Sequence, residues 1–298
     1  MFLGIEIGGT KLQLGLGLGD GRLLRQWRGT VDVAAGGEGI RRRIVNAVPE
    51  FLAQADMKAA QLHGIGIGFG GPVDDATQST IKSHQIEGWD AIPFAAWLTE
   101  QFGLPAVLGN DADVAGLAEA TFGAGRGLSP VFYITLGSGL GGGLIVNQQL
   151  FRGCGRGAAE IGHLRMPYGG SRVPLEDLAS GWGIEKLARA AGLNWSGKEV
   201  GERAAAGDPA ANAILAEAWV HLAEAICQVI ALICPRRIVI GGGASLVGEK
   251  LLFEPLRALV AKRVFRPFAG LTDIVPAALG EEVVVHGALA LARQRFEK

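Results

Sequence analysis

Residues 3–18 read LGIEIGGTKLQLGLGL. Leu3, Ile5 and Ile7 alternate along a short strand, and GGTK then turns the chain. From residue 11 to 18 apolar and small residues alternate again, as a second strand requires. GDG at 19–21 is a hairpin turn and RLLRQWRG reads as a third strand. The same design returns at 131–146, VFYITLGSGLGGGLIV, as strand, glycine turn, strand. Two halves that each begin with a hairpin folded over a glycine turn predict a duplicated α/β fold with a cleft between.

The rest of the chain supplies helices at the matching places. Ile40, Ile44, Val48, Phe51 and Leu52 share one face of a helix expected over about 38–55, with a kink at Pro49. GIGIGFGG at 64–71 is a glycine-rich strand. PFAAWLTEQFG is a short helix stopped by Gly103, and PAVLGND is a strand ending in an acid. Ser180 caps a helix that ends before Gly192. Asp208-Pro209 opens a long helix running to Pro235, with a wide apolar stripe through Leu215, Leu222, Ile226, Val229 and Ile233. RRIVIGGGASLVGEKLL reads strand, glycine turn, helix, and HGALALARQRF is a closing helix.

The 298 residues have room for two domains, and the formal charge of −1 leaves no basic block that could neutralise a phosphate backbone, so nucleic acid is not an expected partner. No apolar run approaches twenty residues, and MFLGIEIGGTK lacks the basic-then-apolar order of a leader, so neither a membrane span nor a signal peptide is expected. Three cysteines exclude a disulfide framework. Cys227 and Cys234 are expected as core thiols, and a reduced, cytoplasmic setting fits. The 47 glycines are expected at strand ends, where backbone must approach closely.

Several motifs carry chemistry. GIGFGG (Gly66, Gly68, Gly71) and GSGLGG (Gly137, Gly139, Gly142) both match G-x-G-x-x-G. A dinucleotide fingerprint must open a helix, whereas the first runs into PVDD and the second into the strand-like LIV. GGTK lacks the long loop of a P-loop. The hairpin turns can instead offer backbone N–H groups to an anion, with hydroxyls from Thr10 and Ser138. Either turn alone is as well explained as a tight hairpin; together they favour nucleotide binding. IVIGGGAS, 238–245, presents glycine backbone against which a flat nucleoside could lie, or close helix–strand packing. LGNDAD, 108–113, places Asn110 and Asp111 just beyond a strand, where ligands of open α/β sheets bind; Asp113 is then the expected helix cap, leaving Asp111 free. Glu160, His163 and Glu176, within AEIGHLRMPYGGSRVPLEDLASG, can form a metal site, an acid–base pair, a polar cradle or a solvated turn.

In order and over nearly the full length, GIEIGGTKLQLGL, GFGGPVD, GNDAD with GLAEATFGAG, TLGSGLGGGLI, EIGH and IVIGGGAS resemble the ROK family (repressor, open reading frame, kinase), including its bacterial glucokinases and fructokinases. The resemblance implies the actin-like ATPase (ribonuclease H-like) duplicated α/β fold, two lobes with an interlobe cleft. Residues 1–112 would form an N-terminal lobe completed by the C-terminal helix, about 286–298, and 113–285 the C-terminal lobe. It implies ATP and Mg²⁺, with Gly8, Gly9, Thr10 and Lys11 in a first phosphate segment and Gly137, Ser138 and Gly139 in a second. Gly241, Gly242, Gly243 and Ala244 would contact the nucleoside. Asp111 matches the catalytic base for a sugar hydroxyl, while Asn110, Glu160, His163 and Glu176 match sugar-binding residues. Glu6, where many relatives carry Asp, is a candidate Mg²⁺ ligand through water. Most relatives also bind a structural zinc through the histidine matching His163 and a cysteine-rich loop. Here LRMPYGGSRVPL has no cysteine and is shortened, so no zinc site is expected; Tyr168 or a backbone carbonyl would orient the imidazole. The implied activity is phosphorylation of a hexose, glucose at its 6-hydroxyl first, by a homodimer. The alternative is a non-catalytic or regulatory sugar-binding member, although family regulators carry a DNA-binding winged helix before the first turn, for which residues 1–2 leave no room.

Overall fold

The computed structural model describes residues 1–83 and 86–297, and it divides into two compact units. The first comprises residues 1–123, 148–158 and 281–298; the second comprises 124–147 and 159–280. A cut at residue 112 would pass through a continuous helix, described next.

In the first unit, β1 (Phe2–Ile7), β2 (Lys11–Gly17) and β3 (Leu23–Thr30) form an antiparallel meander. Helix α1 (Gly36–Gln54) follows, running through Pro49 without interruption. Strand β4 (Gly64–Phe69) leads to a small hairpin, β5 (Val73–Asp74) with β6 (Ser79–Thr80), then to α2 (Phe94–Phe102), β7 (Ala106–Asn110) and α3 (Asp111–Thr121). The sheet order is β3-β2-β1-β4-β7, with β1, β4 and β7 parallel.

The two faces of this sheet differ. Leu3, Ile5, Ile7, Ile65, Ile67 and Phe69 join the buried face of α1 and Phe94 and Leu98 of α2 in one core. The opposite face is floored with glycine because a helix lies directly on it. A Cβ added at Gly66 would stand 1.8 Å from the Ala288 carbonyl oxygen, and one at Gly68 would stand 2.4 Å from Val284. Gly64, Gly66 and Gly68 therefore alternate inside the strand, and only Gly70 and Gly71 follow its end, so the expectation that glycine gathers at strand termini holds here in part. The partner of the strand glycines is the closing helix, α9 below, some 220 residues away in sequence, so nothing local announces the contact.

The second unit opens with β8 (Val131–Leu136) and β9 (Leu140–Val146). The chain visits the first unit through β10 (Gln149–Leu150) and returns for a hairpin, β11 (Arg165–Tyr168) and β12 (Ser171–Pro174). Helices α4 (Glu176–Ala179), α5 (Gly181–Ala190), α6 (Gly197–Ala205) and α7 (Pro209–Ile233) precede β13 (Arg237–Gly241), α8 (Glu254–Arg263) and β14 (Asp273–Pro276). The last helix, α9 (Val283–Phe296), belongs to the first unit. Strands β9-β8-β13-β14 repeat the order and sense of β2-β1-β4-β7: one antiparallel hairpin followed by parallel neighbours. The protein is thus a mixed α/β chain with two sheets of matching topology.

Asp208 caps α7 by accepting from the Ala210 and Ala211 N–H groups, as the Asp-Pro signal predicts. Among the described residues α7 is long and apolar enough to cross a bilayer; Leu215, Leu222 and Ile226 are instead buried in the core of the second unit. Cys227 and Cys234 are half-buried rather than in the core proper, because Cys227 flanks the buried stripe and Cys234 is the left-handed residue ending the helix (φ 47°). The helix expected directly after GGGAS begins later, at Glu254, behind a 3₁₀ turn at Gly243–Val247 and a π-helical turn at Glu249–Phe253.

Candidate active site

In the first unit the glycine turn is closed by the Gly8 N–H, which donates to the Lys11 carbonyl at 3.0 Å. Thr10 is exposed at its tip. The Lys11 ammonium is drawn back along its own strand, pairing with Glu6 at 3.1 Å and donating to the Glu281 carbonyl at 3.3 Å. Glu6 is 4% exposed and also accepts from the Gln13 amide at 2.6 Å. Gln13 in turn accepts from Gln26 at 2.8 Å. Burial pushes the Glu6 carboxyl above its ordinary value, opposed by Lys11 and by the Gln13 hydrogen bond.

At the end of β7 the chain turns into α3, and Asn110 rather than Asp113 is the cap. Its Oδ1 accepts from the Ala112 and Asp113 N–H groups at 2.9 and 3.2 Å. Its amide nitrogen donates to the Gly71 carbonyl at 3.0 Å. Asp113 is buried. Asn110 wins because its backbone is extended (φ −64°, ψ 148°), the conformation a cap needs, while Asp113 already lies inside the helix. Asp111 is the first helical residue. One of its oxygens accepts the Ala112 N–H at 2.8 Å. The other lies toward Gly70, where an added Cβ would be 3.6 Å away.

The second unit gathers more of the expected residues. Its glycine turn is closed by the Gly137 N–H on the Gly139 carbonyl at 3.0 Å. From outside, the Gly181 and Trp182 N–H groups at the start of α5 donate to the Gly137 and Ser138 carbonyls at 2.8 and 3.0 Å. Glu176 accepts the Leu140 N–H at 2.8 Å, so this carboxylate lies against the same turn. Gly242, held at φ 89°, is pressed on Leu136, the residue before the turn, with a hypothetical Cβ only 2.6 Å from the Leu136 carbonyl carbon and oxygen. Gly241 ends β13, and the Ser245 hydroxyl donates to the Gly242 carbonyl at 2.7 Å, fixing the Gly241–Ala244 corner.

Glu160 precedes and His163 ends a one-turn 3₁₀ segment, Ile161–His163, and both are exposed. Gly162 seats that turn on β9: a Cβ there would be 2.0 Å from the Leu140 carbonyl oxygen. Leu140 therefore has Glu176 on its N–H and the EIGH turn against its carbonyl. Glu176 and the backbone of the EIGH turn thus meet the same residue of β9. Asn110 and Asp111 lie in the first unit and Glu160, His163 and Glu176 in the second.

The segment expected as a shortened loop is the β11–β12 hairpin. Gly169 and Gly170, at φ 55° and 78°, supply its two-residue turn, and Met166 plugs into the core. The Tyr168 ring meets His221 of α7 edge-on, with centroids 6.0 Å apart, rather than serving His163. Burial lowers the His221 imidazole, against the nearby Glu217. Among the described residues no three His, Cys, Asp or Glu side chains converge as a metal cage. The grip of α5 on the glycine turn was missed in the sequence, although the cap signal at Ser180 marked the start of that helix.

Several proteins resemble this chain over its whole length. The glucokinase of Thermotoga maritima is 30% identical over 315 aligned residues, 99% of this chain and 98% of its own. The structure of a ROK hexokinase from Thermus thermophilus matches with a TM-score of 0.84 at 28% identity, covering 99% of this chain and 98% of that one. A ROK family glucokinase from Streptomyces griseus, solved in complex with glucose and AMPPNP, matches with a TM-score of 0.81 at 31% identity, covering 98% and 99%. The model describing the ROK family matches residues 2–295, and the chain belongs to that family.

Proposed function

We propose that the protein is an ATP-dependent sugar kinase of the actin-like ATPase fold, transferring the γ-phosphoryl group to a hexose, with glucose and its 6-hydroxyl as the first candidate. The observation that carries the reading is the setting of Asp111. Its carboxylate is fixed at the first turn of α3, one oxygen on the Ala112 N–H and the other turned toward the glycine-lined Gly70 backbone. The glucokinases of Thermotoga maritima and Streptomyces griseus support the substrate class.

In this reading Asp111 accepts the proton of the sugar hydroxyl as the new O–P bond forms and the β–γ bridging bond breaks, releasing ADP. A carboxylate within reach of the reacting hydroxyl is the general base such a transfer needs. Glu160, His163 and Glu176 bind other sugar hydroxyls, each of which can donate and accept. Asn110 has one amide hydrogen left to offer a hydroxyl beyond its capping role. The Gly8–Lys11 and Gly137–Gly139 turns receive the phosphates and Gly241–Ala244 the nucleoside. Mg²⁺ supplies charge neutralisation at the β- and γ-phosphates when bound. Glu6 suits it only through water, since Lys11 and Gln13 already occupy its two oxygens and Mg²⁺ retains several waters when few carboxylates are offered.

Asp111→Asn tests the assignment. Coupled ADP release over a panel of hexoses and N-acetylhexosamines should fall by at least about 10²-fold with sugar affinity retained. Undiminished turnover would remove Asp111 from its role. No turnover of any sugar by the wild-type chain, with sugar binding intact, would favour the non-catalytic reading.

A further inference from the structure

Glu176 stands in the sugar-binding set, yet its carboxylate is already engaged elsewhere. Oε2 accepts the Leu140 N–H at 2.8 Å, and a Cβ on Gly139 would come within 2.6 Å of that oxygen. The Ser180 hydroxyl donates to the Glu176 carbonyl at 2.7 Å and accepts the Gly183 N–H at 3.0 Å, which ties α4 to the start of α5. The next N–H groups, Gly181 and Trp182, hold the Gly137 and Ser138 carbonyls. Residues 176–182 thus grip the glycine turn at 137, 138 and 140. With Gly137 bonded inside the turn and Leu140 bonded to Glu176, the Ser138 and Gly139 N–H groups are the donors left for an anion.

We infer that Glu176 is a positioning residue for the second phosphate turn, and that a sugar hydroxyl bound to the same carboxylate alters the affinity for nucleotide. The inference rests on the kinase reading above and gives that site an internal coupling. A carboxylate oxygen has two lone pairs, so a sugar hydroxyl arriving at Glu176 shares or redirects the bond to Leu140. Any change in the donors at Ser138 and Gly139 then reaches the phosphates. Linkage makes the effect reciprocal: nucleotide must change sugar affinity by the same factor.

The test uses the full chain without sugar, where a residue that only binds sugar has no role. ATP affinity is measured by calorimetry, and exchange of the Leu140 amide by NMR on ¹⁵N-leucine protein. Glu176→Ala should speed Leu140 exchange and weaken ATP binding, each roughly tenfold, the size expected for one lost charge-assisted hydrogen bond. Glu176→Gln should stay within about threefold on both, because its amide oxygen can accept the same N–H. Gly139→Ala should speed Leu140 exchange as the alanine does, by displacing a carboxylate that is still present, and that exchange, not ATP affinity at a residue of the phosphate turn, decides the matter if Glu176→Ala does not fold. Wild-type ATP affinity or unchanged Leu140 exchange in Glu176→Ala overturns the positioning role and the coupling built on it, and leaves the kinase reading standing. A wild-type chain that binds no ATP overturns the nucleotide reading and the coupling together.

Discussion

Asn110 and Asp111 are adjacent and nearly isosteric, yet the backbone separates their tasks. The extended residue closes the helix end and the first helical residue presents its acid. Asn110→Ala should therefore cost about 1 kcal/mol, the usual loss for a side-chain cap, read as a lower urea midpoint with an unchanged m-value. An unchanged midpoint would mean that Asp111 or water replaces the cap. Glu6 makes a second single-residue case. Its folded-state value lies above the ordinary 4.5 because burial outweighs Lys11 and Gln13. A raised acid contributes stability that is fully present below about 4.5 and is lost as pH rises through the folded value. Glu6→Gln should therefore melt higher than wild type at pH 7.5, with the gap closing as the pH falls through the raised folded value toward 4.5. A gap that widens toward acid would mean that the Lys11 pair outweighs desolvation.

Among the elements, the β11–β12 hairpin lies where the family resemblance leads one to expect a cysteine-rich loop. Met166 in the core and Tyr168 against His221 hold it by packing. Dialysis against EDTA should leave the melting temperature unchanged, and one zinc retained per chain would refute this account. Gly170→Val should cost about 1–2 kcal/mol, since a β-branched residue cannot adopt φ 78° without strain; chemical denaturation measures it. This segment also shows where sequence reading stops. The paired glycines in YGGS are a hairpin signal, but Pro167 and the unalternating RMPY and SRVP hide the strands on either side. Strands β1, β2, β8 and β9 and the caps Ser180 and Asp208 were legible because each is a local pattern. The glycine floor of β4 was not, since its cause is a helix made of residues 283–296. For the same reason Glu176 could be named from the sequence, but its partner Leu140, 36 positions earlier, could not.

At the scale of the molecule, the first unit is assembled from three stretches of chain, and α9 is the last of them. Val283, Val285, Leu289 and Leu291 are buried on it. At about 1.5 kcal/mol or more per fully buried side chain, removing them costs about 6 kcal/mol, a large share of the roughly 5–15 kcal/mol that holds a domain together. A chain ending at Gly280 should lose amide protection across β1, β4 and β7 while α7 and β13 keep theirs, as hydrogen exchange would show. Protection retained in the first sheet would mean that α9 is dispensable.

That order has a consequence during synthesis. The ribosome delivers β1 through α3 first and the helix that roofs them last, with nearly the whole second unit made in between. Until that helix arrives, the glycine face of β4 lacks the cover that Ala288 and Val284 give it. The second unit, whose parts emerge nearly without interruption, can be complete before the first one is.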